Sequence, residues 1–162
     1  LDASWWLLGT PKPIYALGAA GAKFGPRGLG YNGPTPEPEI VEKFDTDDYG
    51  TGFIIFEGGA SIQIESFWVA HRPNEVQIEI FGTEAGAKTN PLTIYRNNNG
   101  LPEDLAPEME KQSLSFERVA EHFISSILDK TPCQAPLQQG LDVQRMMEAV
   151  LKSAESGQPI NL

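Results

Sequence analysis

Residues 53–69 constrain the fold more than any other stretch of the chain. Phe53-Ile54-Ile55-Phe56 is a continuous apolar run, Glu57-Gly58-Gly59-Ala60 interrupts it, and residues 61–69 then alternate in character. Two central glycines supply the positive φ angles that a two-residue hairpin turn needs. On the returning strand Ile62, Ile64, Ser66 and Trp68 share one face, while Ser61, Gln63, Glu65, Phe67 and Val69 share the other. Val76, Ile78 and Ile80 alternate in the same way with Gln77, Glu79 and Phe81, Gly82 begins a turn, and Leu92–Tyr95 forms another short strand. Neighbouring strands joined by short turns predict an antiparallel meander.

The flanks are of different character. Residues 1–9 read as the later part of an amphipathic helix ended by Gly9, Pro11 and Pro13, which suggests a domain cut from a longer protein. Ile14–Leu17 is an expected strand, and Gly18 to Pro38 is expected to be an irregular loop rich in Gly and Pro. After the strands, Phe116, Val119, Ala120, Phe123, Ile127 and Leu128 recur at helical spacing, with Ser113 or Ser115 as candidate N-caps. A second helix is expected from Gln138 to Glu155, with Val143, Met147, Val150, Leu151 and Ala154 as its apolar stripe and Gly157 as its C-cap. The expected architecture is one α+β domain over residues 1–162: a two-layer, mostly antiparallel open sheet with helices packed on one face. The other face carries Gln63, Glu65, Phe67, Val69, Gln77, Glu79 and Phe81, a mixture compatible either with a solvated face or with cover by a second copy of the chain.

Charge and cysteine usage exclude several classes. A net charge of −10 without a Lys/Arg cluster argues against nucleic acid or an anionic membrane as partner. No apolar run is long enough to span a bilayer. Cys133 is the only cysteine, which rules out an intrachain disulfide and fits a reducing cytoplasmic setting. With His71 and His122 it cannot build a closed zinc site, and no metal ligand set is expected.

Individual motifs have plainer readings beside the chemical ones. Gly28-Leu29-Gly30-Tyr31-Asn32-Gly33 spells G-x-G-x-x-G, but a dinucleotide fingerprint needs a strand before it and a helix opening within it. Pro26 precedes it and Pro34, Pro36 and Pro38 follow, so no helix can open there, and the glycines are read as loop flexibility. Asp45-Thr46-Asp47-Asp48-Tyr49-Gly50 has the glycine of a calcium loop but lacks its fifth and twelfth ligands, and is read as a solvated acidic turn. His71-Arg72, at the end of the Trp68 strand, suits an anionic or polyhydroxy ligand, although a solvated turn is the commoner case. Arg27 and Tyr31 are candidate ligand contacts because their loop is long. His122 is expected to be a half-buried packing residue. No G-x-S-x-G, H-E-x-x-H or Walker loop occurs, and no catalytic residue is assigned.

The order of these pieces resembles the C-terminal domain of the Gfo/Idh/MocA oxidoreductases. The resemblance rests on Leu1-Asp2-x-x-x-Trp6-Leu7-Leu8-Gly9 with Pro11-Lys12-Pro13, on Asp47-Asp48 ahead of Phe56-Glu57-Gly58-Gly59-Ala60, and on Ile64–Trp68. Ile80–Ala87, with Ala85 where Gly is usual, and the ending from Leu137 to Leu162 complete it. Such a resemblance implies a partner Rossmann domain that binds NAD or NADP. It implies a substrate-binding and oligomerisation role for this domain, in hydride transfer to or from a sugar, polyol or related hydroxy or carbonyl compound. The family's catalytic Lys would lie in the Rossmann domain and its His just upstream of Leu1, so no cofactor and no turnover are expected of this chain alone. Arg27, Tyr31, His71 and Arg72 remain the candidate substrate contacts, a small molecule the expected ligand, and a homo-oligomer through the open sheet face the expected assembly. The alternative is a noncatalytic small-ligand-binding or homo-oligomeric assembly module.

Overall fold

The computed structural model describes residues 1–31, 34, 36–71, 73–108 and 115–162. In chain order the elements are α1 (Asp2–Leu7), β1 (Pro13–Gly21), a 3₁₀ turn (Gly25–Arg27), α2 (Pro38–Glu42), β2 (Tyr49–Phe56) and β3 (Ser61–Phe67). There follow β4 (Glu79–Phe81), β5 (Ala85–Thr89), β6 (Leu92–Asn98), β7 (Leu101–Leu105), α3 (Ser115–Leu128), α4 (Leu137–Ser156) and β8 (Ile160–Asn161). The strands form two antiparallel sheets and the whole is α+β. The chain divides into two compact units, Leu1–Arg72 with Ala135–Leu162, and Pro73–Gln134.

The first unit contains the sheet β3-β2-β1-β8. Its β2–β3 hairpin forms where the apolar run and the alternating run meet, but the loop is the three residues Glu57–Gly59, closed by Phe56 N–H donating to Ala60 O at 2.9 Å. Strand β1 runs past the expected Leu17 to Gly21, because Ala19, Ala20 and Gly21 pair with Thr51, Gly50 and Tyr49; cross-strand pairing overrides the weak strand preference of small residues. Helix α4 lies across β1 and β2 and closes the core of Trp5, Ala16, Ile54, Phe56, Ile62, Met146, Ala149 and Val150.

The approach of α4 is unusually close, and two glycines permit it. A Cβ on Gly18 would lie 2.5 Å from the Val150 carbonyl oxygen, and one on Gly52 would lie 2.9 Å from both Val150 methyl groups. At this distance the Ser153 hydroxyl reaches the sheet and accepts the Gly18 N–H at 3.0 Å. The buried stripe of α4 is therefore Val143, Met146, Ala149, Val150 and Ser153, rotated from the expected one: Met146 is 0% exposed and Met147 47%. Gly157 caps the helix in the left-handed region as expected. On the face turned away from α4, Leu17 and Phe53 are paired and exposed, and Tyr49 stacks on Phe67 at 6.3 Å.

The second unit contains the sheet β4-β5-β6-β7. Strand β7, Leu101-Pro102-Glu103-Asp104-Leu105, is not expected from the sequence pattern; it returns from β6 through Asn99-Gly100, both at positive φ. The apolar stripe of α3, including Phe116, Val119, Phe123 and Ile127, is exposed. Ile80, Ala87, Ile94 and Leu105 pair in one row across this sheet and are half-buried, while the α3 stripe stays exposed. His122 is half-buried, as expected, and its Nε2 accepts the Gln134 N–H at 3.0 Å. Ser113 lies outside the described residues, as does the Ser115 side chain.

Candidate functional site

The Gly/Pro loop after β1 is built rather than slack. Asp48, immediately before β2, is 2% exposed, and its carboxylate accepts three consecutive backbone N–H groups. Lys23 N–H is shared between both oxygens at 2.9 Å, while Phe24 and Gly25 donate to Oδ2 at 2.6 and 2.8 Å. Burial pushes the carboxyl pKa up, but the Gly25, Lys23 and Phe24 amides outweigh it, the Lys23 charge adds to them, and the group sits below its ordinary range. The reading of residues 45–50 as a solvated acidic turn thus fails at Asp48, although Asp45 and Asp47 are exposed. Downstream of the carboxylate the chain winds into the 3₁₀ turn, with Arg27 N–H and Leu29 N–H both donating to Phe24 O, at 2.9 and 3.1 Å.

The far end of the loop is held by aromatic packing. The Tyr31 ring lies 5.4 Å from Trp68, just past β3, and 6.5 Å from Phe44, and Phe44 stacks on Trp68 at 5.7 Å with an interplanar angle of 22°. Gly25 lies against the Phe44 ring and Gly30 against Val69 Cγ2, so closely that neither position has room for a Cβ. Trp68 keeps 47% of its surface exposed, and the Tyr31 hydroxyl is buried without a hydrogen-bond partner among the described residues.

Of the residues singled out in the sequence, Tyr31 is brought against the strand end that leads, three residues beyond Trp68, to His71. Arg27 and His71 are exposed, and no hydrogen bond or ion pair joins Arg27, Tyr31 and His71 to one another. Arg72 lies outside the described residues, as does Gly33 of the G-x-G-x-x-G stretch. Sequence reasoning misses Asp48, Phe44 and Trp68 as site residues; the signal available is aromatic residues at the ends of two expected segments, with nothing to pair them. A separate cavity of about 330 Å³, lined by Trp5, Thr10, Lys12, Gln139, Asp142 and Arg145 among others, includes none of the candidate residues. Among the described residues no group of three or more His, Cys, Asp or Glu is placed to hold a metal, and no helix is long and apolar enough to cross a membrane.

The family model described as the oxidoreductase family, C-terminal alpha/beta domain (Gfo/Idh/MocA) matches residues 1–162. The chain belongs to this family. D-glucoside 3-dehydrogenase of Escherichia coli K12 is 29% identical over 121 residues, covering 74% of this chain and 34% of that protein. Aldose-aldose oxidoreductase from Caulobacter crescentus, solved with glycerol, superposes with a TM-score of 0.72 at 16% identity over 99% of this chain and 44% of its own. The WlbA dehydrogenase from Bordetella pertussis, solved with NADH and UDP-GlcNAcA, does so at 0.65 and 15% over 99% of this chain and 43% of its own. The chain of this family member thus spans about a third of the curated relative and under half of these solved structures. Around the G-x-G-x-x-G stretch a 3₁₀ turn, not a strand, precedes Gly28, and the next helix, α2, is a five-residue segment begun by Pro38, so the frame of the dinucleotide fingerprint is not formed there.

Proposed function

We propose that this Gfo/Idh/MocA domain presents the substrate-binding and oligomerising surface of an enzyme that transfers hydride between NAD(P) and a sugar, polyol or similar small hydroxy or carbonyl compound. The cofactor is held by residues outside this chain, and the chain alone is inactive. The observation that carries the reading is the ordered loop of residues 22–31, clamped at Asp48 and packed on Trp68. It turns a Gly/Pro segment into a built loop that carries Arg27 on its 3₁₀ turn and holds Tyr31 against Trp68, three residues before His71. Guanidinium and imidazole groups suit sugar hydroxyls and anionic sugar substituents, and a half-exposed indole suits the apolar C–H face of a sugar ring. The names of the relatives, a glucoside dehydrogenase and an aldose oxidoreductase, support the same substrate class.

The test is sugar-dependent reduction of NAD or NADP by the full-length polypeptide that carries these residues. Arg27→Ala and His71→Ala are expected to lower kcat/KM for the best aldose or glucoside at least tenfold. Kinetics unchanged in both variants would remove the substrate role from this surface. The 162-residue chain alone is expected to show no saturable quenching or enhancement of NADH fluorescence. For the assembly role, the exposed Leu17, Phe53 and Phe67 on the open face of the first sheet provide the contact. Sedimentation is expected to show an oligomer that Phe53→Glu disperses; a monomer for the unaltered chain would end that part of the proposal.

A further inference from the structure

We infer that Asp48 is the positioning residue of the candidate site: its carboxylate and main chain together set the conformation of residues 23–31 and hence where Arg27 and Tyr31 stand. The argument starts from how many segments meet at this one residue. Its N–H donates to Gly21 O at 2.9 Å, which ties it to the end of β1. Its carbonyl accepts the Trp68 N–H at 2.8 Å, which ties it to the strand end carrying the aromatic cluster. Its carboxylate gathers the Lys23, Phe24 and Gly25 amides. The loop therefore leaves β1 under the hold of Asp48 and returns, through Tyr31, onto a tryptophan that Asp48 also holds.

Three consecutive N–H groups turned toward one point cannot be satisfied by the loop's own carbonyls, and left buried without an acceptor they would oppose this conformation. An ionised carboxylate meets all three and makes stronger bonds than a neutral acceptor. Neither neighbouring acid can substitute, because Asp45 and Asp47 are exposed. The global fold does not depend on the clamp, since the core of α4, β1 and β2 is built from Ala16, Ile54, Phe56, Met146 and Val150. Asp48 acts on ligand only through the loop, and in that respect the inference rests on the proposed substrate role of Arg27 and Tyr31; the clamp itself does not.

The test compares the unaltered chain with Asp48→Asn and, as control, Asp47→Asn. Amide hydrogen exchange of residues 23–29, and tryptic cleavage after Lys23 and Arg27, report the loop. In Asp48→Asn both are expected to accelerate at least tenfold while α4 and β2 amides keep their protection, and Asp47→Asn should match the unaltered chain. Loop exchange unchanged in Asp48→Asn, or core amides accelerated as much as the loop, overturns the inference. Should Asp48→Asn fail to fold, the unaltered chain decides: Lys23, Phe24 and Gly25 amides protected like β1 support the clamp, and exchange at the rate of a free loop overturns it. In the full-length enzyme Asp48→Asn should raise KM more than it lowers kcat. A loosened loop with unchanged KM, together with an inert Arg27→Ala, would retire the substrate role of the loop while leaving the clamp standing.

Discussion

Replacing Gly52 or Gly18 by alanine tests how closely helix α4 must approach the sheet. In Gly52→Ala the new methyl would meet the two Val150 methyls at 2.9 Å and Ile64 Cγ1 at 3.0 Å. Carbon atoms prefer about 3.5–4.0 Å, so the helix or its side chains must give by roughly half an ångström or more. Overpacking of this kind costs about 1–3 kcal/mol, and the stiffer unfolded chain returns about 0.4–1 kcal/mol, leaving a net loss of about 1–2 kcal/mol. Val150→Ala alone removes two methyls from a site 5% exposed, worth about 1.6 kcal/mol by transfer plus a cavity term. In the double variant the new methyl enters the vacated space and keeps only the 3.0 Å contact with Ile64 Cγ1, so Val150→Ala should recover most of the Gly52→Ala loss, a coupling of about 1 kcal/mol. Gly18→Ala behaves differently: its Cβ meets the Val150 carbonyl oxygen at 2.5 Å, which truncating the side chain does not remove. Urea unfolding followed by far-ultraviolet circular dichroism, at constant m-value, measures the three single variants and both doubles. Equal rescue of Gly18→Ala and Gly52→Ala by Val150→Ala, or a neutral Gly18→Ala, would refute the argument that main-chain and side-chain contacts act separately here.

Other outcomes follow from single groups. Asp48 titrates lower in the folded chain than in the unfolded one, so its contribution is present above the ordinary carboxylate range and is lost as pH falls through the folded value; a urea midpoint that declines with acid as steeply in Asp48→Asn as in the unaltered chain would contradict this. Ser153→Ala removes a fully buried hydroxyl and leaves the part-buried Gly18 N–H without its acceptor, and is expected to cost about 1–3 kcal/mol, read from the same unfolding curves. Tyr31→Phe deletes a buried hydroxyl that has no partner among the described residues while keeping the ring against Trp68, so thermal unfolding should show stability unchanged or raised by up to about 1–3 kcal/mol. A clear loss would mean that the hydroxyl is engaged.

Much of the fold is legible in the sequence because it rests on local pattern. The β2–β3 hairpin, both long helices and the Gly157 cap follow from periodicity and glycine placement. The rotated stripe of α4 shows where pattern stops: Met146 and Met147 are equal to any apolarity count, and Ser153 is buried for a hydroxyl that a hydrophobic template discards. Strand β7 is hidden by Pro102, Glu103 and Asp104, although Asn99-Gly100 marks a tight hairpin turn. The site is the least legible part. Nothing in Asp45-Thr46-Asp47-Asp48 says which acid turns inward, because the three amides that select Asp48 lie more than twenty residues earlier. Tyr31, by contrast, stands out for its loop, and the packing that orders it, against Phe44 and Trp68, comes from two other segments.

The bond from Gly18 to Ser153 has a consequence for behaviour in a crowded solution. Strand β8 pairs with β1 at Tyr15 and Ala16, and Leu162 N–H reaches Ile14 O, so the Gly18 donor beyond the end of β8 would otherwise be open to a passing extended chain. The serine hydroxyl occupies that donor from the helix above, where the adjoining strand has run out. A side chain thus finishes the sheet where the backbone does not, and its removal would expose a place for unwanted strand addition as well as weaken the core.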